Sequence, residues 1–167
     1  KLIAQSSSNL VIPLHGSLSG EDQGKIFRPP PRGKRKIVIA TNVAETSITI
    51  PDCTVVIDSC RVKQIGFDPS RNMASALVED YASQDSLRQR RGRAGRTQSG
   101  VAFHMITKRK LERLPPHTLP EILRISLEQL ILQICSMDLT PASFLPTLLD
   151  TPNELMTSAS IQMLIDL

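Results

Sequence analysis

The chain has 167 residues, 40% of them hydrophobic, enough for one core and part of a second. No apolar stretch approaches the roughly 20 residues that cross a bilayer, and the polar start from Lys1 to Asn9 lacks the apolar centre of a signal peptide. A formal net charge of +4 favours a polyanionic partner, while 3% aromatic residues and no Trp argue against base stacking on aromatic platforms as the main binding mode.

In chain order, Asn9 to Leu14 reads as a strand that empties into His15-Gly16-Ser17-Leu18. Ser19 stands as N-cap before the acidic turn Gly20-Glu21-Asp22-Gln23, and Arg28-Pro29-Pro30-Pro31 stops that helix just after Phe27. A second strand, Lys36 to Ala40, leads into Thr41-Asn42-Val43-Ala44-Glu45-Thr46, and a third runs from Thr54 to Asp58. Arg61 to Tyr81 reads as a β-hairpin around the turn-prone Asp68-Pro69-Ser70-Arg71-Asn72. Ser83 caps a helix through Arg91, and Val101 to Ile106 is a fourth core strand. Short apolar strands alternating with helices predict a parallel α/β sheet.

Past Thr107 the composition changes through Lys108-Arg109-Lys110 and Pro115-Pro116, which places a domain boundary near 108 to 116. A helix opening at Pro120-Glu121 carries Leu123, Leu127, Leu130, Ile131 and Ile134 on one face, a stripe suited to a core. Thr140-Pro141 begins a short helix, and Thr151-Pro152-Asn153-Glu154 reads as a capping box with Pro at N1 of another. Cys53, Cys60 and Cys135 are odd in number and not closely spaced, so no zinc site or other metal centre and no disulfide framework is indicated; free thiols suit a reducing compartment, cytoplasm or nucleus.

The densest feature is Gln89-Arg90-Arg91-Gly92-Arg93-Ala94-Gly95-Arg96, four arginines around two glycines. Arginine presents a rigid, permanently charged fork that matches phosphate oxygens in pairs. Alone, the run also fits an arginine-glycine tract that holds RNA by charge. The partial block around His15 to Ser17, then TNVAETSITI, then this run follow one another along the chain and together resemble motifs IV, V and VI of superfamily 2 helicases, in the DEAH-box/RNA helicase A branch.

That resemblance implies a RecA-like parallel sheet flanked by helices with an inserted β-hairpin over 1–107, then a linker and the start of a mostly helical winged-helix region over 108–167. It implies ATP in a cleft shared with a first RecA-like lobe. Arg93 and Arg96 match the arginine fingers, Gln89 the residue that places the attacking water, and Phe27 the aromatic that stacks on adenine. Gly92, Thr46 and Asp58 fall beside the nucleotide, while Ser17, Thr41 and Asn42 match contacts to the backbone of single-stranded RNA. Arg90 and Arg91 read as solvated or RNA-facing surface. No Walker A element is present, so ligands for Mg²⁺ are expected in the first lobe, and the fragment alone is expected to be inactive. A DNA helicase lobe and an inactive docking module are the competing readings, and no residue identifies an activating protein. Two positions depart from the family: Cys60 and Asn72 stand where glycine is common.

Overall fold

A computed structural model describes residues 8–46, 48–67 and 75–167. Backbone packing divides the chain into two compact units, one of residues 1–61 and 81–117, the other of residues 62–80 and 118–167.

The first unit contains β1 (Asn9–Leu14), α1 (Gly20–Gly24), β2 (Arg35–Ala40), α2 (Val43–Thr46), β3 (Val55–Asp58), α3 (Gln84–Arg91), β6 (Val101–His104) and α4 (Lys108–Leu111). β1 runs parallel to β2 with Asn9 opposite Arg35, and β3 runs parallel to β6 with Val55 opposite Val101. The parallel α/β arrangement expected from the apolar runs is therefore present, but as two separate pairs: no ladder joins them among the described residues. They are linked through helices instead, since α3 packs on β3, on β6 and on the α2 that follows β2. Ile12, Leu14 and Ile26 form the buried centre beneath the first pair, with Leu10, Val38, Val43, Ile48 and Ile50 around them.

Caps fall where the side chains can supply them. Ser19 accepts from the Asp22 N–H to start α1, and Ser83 accepts from the Ser86 N–H to start α3. The first free N–H groups of α3 are further met by carbonyls of the proline segment: Gln84 N–H donates to Pro115 O at 2.9 Å and Asp85 N–H to Pro116 O at 3.1 Å.

β4 (Arg61–Phe67) pairs with β5 (Ser75–Tyr81) in a sheet of their own, as the hairpin reading required, and all but the outermost residues, Arg61 and Tyr81, fall in the second unit; the turn at 68–72, Asn72 included, lies outside the described residues. The remainder is helical: a 3₁₀ turn at Glu121–Leu123, then α5 (Glu128–Ser136), α6 (Pro141–Phe144) and α7 (Glu154–Ile165). Two local expectations change. The helix expected from Pro120 is interrupted, because Arg124 adopts φ −139° and the Leu127 N–H turns to the buried Ser160 Oγ, 2.9 Å away, instead of a helical carbonyl. α7 starts later than a Thr151 cap would put it, since the Asn153 side chain accepts from the Leu155 N–H at 2.8 Å, leaving Pro152 before the helix and buried. The stripe does face inward, with Leu127, Ile131 and Ile134 buried.

Candidate functional site

Parallel pairing brings the carboxyl ends of β1 and β2 to one edge. There the Thr41 N–H donates to Leu14 O at 3.0 Å, and the turn after β1 closes through Leu18 N–H to His15 O at 3.2 Å. Ser17, Thr41 and Asn42 are all exposed at this edge. Thr41 also lends its hydroxyl to the Val43 N–H at 3.5 Å, and Asn42 O accepts from the Glu45 N–H at 2.9 Å, so the loop turns directly into α2. Thr46 closes α2 and is exposed.

Arg90 is not a solvated surface arginine. Its side chain is 14% exposed; Nε donates to Glu45 at 3.0 Å, and Nη1 donates both to Asp58 at 3.0 Å and to the Arg61 carbonyl at 3.1 Å. Burial disfavours the guanidinium charge, but the hydrogen bonds it donates to Glu45 and Asp58 outweigh that penalty and hold its pKa above the ordinary arginine value. Spacing along the chain gives no sign of this pair of contacts, because the partners lie 45 and 32 residues away.

Asp58, buried at the end of β3, is fully engaged. Oδ1 accepts from Arg90 and from the Cys60 N–H at 2.9 Å, and Oδ2 lies 3.2 Å from His104 Nδ1. Asp58, Cys60 and His104 bring three donor atoms within 4.8 Å of one another. Arg90 already neutralises the carboxylate, and burial, then the Asp58 charge, push the Cys60 thiol up, so the donor set suits an ion pair better than a cation. Cys60 has φ +61°, the left-handed region, which is the physical reason a glycine would be common at this place.

Arg93 and Arg96 follow α3 on the 3₁₀ turn Gly92–Gly95 and its cap. Arg93 Nη1 donates to Ile48 O at 3.3 Å, while its buried Nε has no hydrogen-bond partner among the described residues. Burial, then the like charge of Arg96, lowers the Arg93 pKa. A bound anion would relieve both: it would accept from the orphaned donor and offset the repulsion. Gln89 and Arg96 are exposed, and Phe27 is 50% exposed at the end of the 3₁₀ turn Lys25–Phe27. Gly92 is right-handed at φ −63° with open space around it, so it leaves room beside the arginines without requiring glycine's backbone freedom.

Two residues escaped the sequence reading. Gly100 is demanded by packing, since a Cβ there would lie 1.5 Å from the Ala94 carbonyl oxygen. Lys36, a strand residue by pattern, carries a nearly buried ammonium. The only sequence signal for Gly100 was its place between the arginine run and β6.

The family profile described as helicase conserved C-terminal domain matches residues 1–98. The chain belongs to that family, in its DEAH/DExH branch. Relatives of this helicase domain include the ATP-dependent RNA helicase DHX29 of Homo sapiens, 46% identical over 155 residues, or 92% of this chain and 11% of that protein. Another is the DExH-box ATP-dependent RNA helicase DExH1 of Arabidopsis thaliana, 42% identical over 97% of this chain and 16% of that protein. Among solved structures, the Escherichia coli DEAH/RHA helicase HrpB superposes with a TM-score of 0.87 and 37% identity, covering 96% of this chain and 20% of that one. This helicase domain thus spans between about a tenth and a sixth of the curated relatives it matches. No helix among its described residues is long and apolar enough to cross a membrane.

Proposed function

We propose that this chain is the second RecA-like motor lobe of an ATP-dependent RNA helicase, followed from residue 108 by a linker and the beginning of a winged helix. Arg93 and Arg96 neutralise the charge that develops on the γ-phosphate, the largest contribution such a lobe makes to phosphoryl transfer. Gln89 orients the attacking water, and Phe27 stacks on the base. Gly92 and Thr46 lie beside the nucleotide. Asp58 acts through Arg90, because both of its oxygens are engaged. Ser17, Thr41 and Asn42 hold phosphates and sugars of a single RNA strand, contacts that read backbone and not sequence. Strand movement is 3′ to 5′, with Mg²⁺ held by the first lobe.

The observation that carries this reading is the Glu45–Arg90–Asp58 ion-pair centre. It fastens the helix after Thr41-Asn42 to α3, the helix that leads into the turn carrying Arg93 and Arg96, so the RNA-side loop and the phosphate-side arginines shift together. Such coupling is what a motor needs to convert hydrolysis into movement along RNA.

The test is RNA-stimulated ATP hydrolysis by the full-length protein, wild type beside Arg96→Ala, with RNA binding measured in parallel. We expect a loss of about two or more orders of magnitude in turnover with RNA binding retained. Equal turnover in the two proteins, or none in the wild type, would leave the lobe as a docking module with a helicase shape.

A further inference from the structure

One ammonium holds the backbone on both sides of Phe27. Lys36, the second residue of β2, has a side chain 6% exposed, and its Nζ donates to Ile26 O at 2.7 Å and to Arg28 O at 3.1 Å. The same Nζ lies 2.6 Å from Asp52 Oδ1 as an ion pair, without hydrogen-bond alignment, so two of its donors are placed on carbonyls and its charge is offset by Asp52. Beyond Ile26 the segment it grips has few backbone hydrogen bonds of its own. The 3₁₀ turn Lys25–Phe27 closes through Arg28 N–H to Lys25 O at 3.3 Å, and the Pro29, Pro30 and Pro31 that follow have no N–H to offer. Ile26 is fully buried and anchors one side of the turn, whereas the Phe27 ring stands half exposed.

We propose that Lys36 is a positioning residue for nucleotide: by clamping the carbonyls of Ile26 and Arg28 it sets the direction of the Phe27 ring and so prepays the ordering that a bound base would otherwise require. The proposal rests on Phe27 being the ring on which the base stacks. Asp52 keeps the buried ammonium paired and thereby holds it under the turn.

The experiment compares KM for ATP with KM for ribose 5′-triphosphate, which lacks a base, in the full-length protein and in its Lys36→Met, Phe27→Ala and doubly substituted forms. Lys36→Met keeps the apolar stem and removes the donors. It is expected to raise KM for ATP by roughly tenfold, within the worth of one base–aromatic stack, and to leave KM for the base-free triphosphate within about twofold. In the Phe27→Ala background it should add nothing further. An equal rise for both substrates, or a full further rise on top of Phe27→Ala, marks a merely structural lysine and overturns the proposal. No rise for Lys36→Met beside a rise for Phe27→Ala overturns it while leaving the stacking role intact. If Phe27→Ala itself leaves KM for ATP unchanged, the stacking role falls and the proposal with it. Should Lys36→Met fail to fold, Asp52→Asn decides: a smaller rise confined to ATP supports the clamp, and unchanged KM values overturn it.

Discussion

Arg90 illustrates how a charge becomes structural when its partners share its burial. Glu45 and Asp58 are 14% and 5% exposed at the side chain, so removing the guanidinium would strand two carboxylates away from water. Arg90→Met is therefore expected to lower unfolding free energy by about 3–5 kcal/mol, measured by urea denaturation, whereas truncating the exposed Arg91 should change it by no more than about 0.5 kcal/mol. Cys60 gives a second test. Its left-handed backbone costs about 1–2 kcal/mol for a residue with a Cβ, while its thiol is fully buried. Cys60→Gly trades these against each other and should stay within about 1 kcal/mol of wild type; Cys60→Val, β-branched at positive φ, should lose more than about 2 kcal/mol. The pH dependence has a definite sign. Burial holds the Cys53 and Cys60 thiols above the ordinary value of 9.0, so the unfolded chain releases those protons first. Their contribution is complete below that pH and is lost as pH rises from the unfolded value of 9.0 through the folded values, so the urea midpoint should fall above that pH, and less steeply in Cys60→Ala.

At the scale of elements, caps and interruptions decided more than propensity. A leucine stripe at helical spacing told which residues face inward, yet the helix that carries it starts at Glu128 because Ser160 captures the Leu127 N–H. Ser160→Ala would leave that buried donor unpaired and is expected to cost about 1–3 kcal/mol, read as a lower denaturation midpoint. Ser160 Oγ also fastens α7 to the start of α5, so backbone hydrogen exchange should quicken in both helices together. Between the arginine run and β6, Gly100 lets the strand start against Ala94 O, an approach that any side chain would block.

Over the whole molecule, one face of the β3–β6 pair stands uncovered. Val55, Val101, Ile57 and Phe103 sit opposite one another in register and are 53–74% exposed. An apolar patch of this kind drives association in water, so the 167-residue chain by itself should self-associate, and Ile57→Lys should return it toward monomer by light scattering. The same isolated chain is expected to show no ATP turnover, because no Walker A sequence is present in it. Detectable hydrolysis by the purified chain, free of the rest of the protein, would overturn that expectation.

Local chemistry was legible from the amino acids alone. Strand periodicity, Ser19 and Ser83 as caps, the stop at the proline run, and three ordered blocks that mark the helicase family all depend on neighbours within a few residues, where spacing is geometry. What folding alone decided involves partners far apart in sequence. Arg90 turned inward because Glu45 and Asp58 arrive together beside the end of β3, Lys36 found carbonyls beside Phe27, and the parallel strands paired, among the described residues, as β1 with β2 and β3 with β6. Long-range pairing of buried charges and carbonyls leaves no periodic trace in a sequence, since it arises only once the chain has brought those groups out of water and must satisfy each of them.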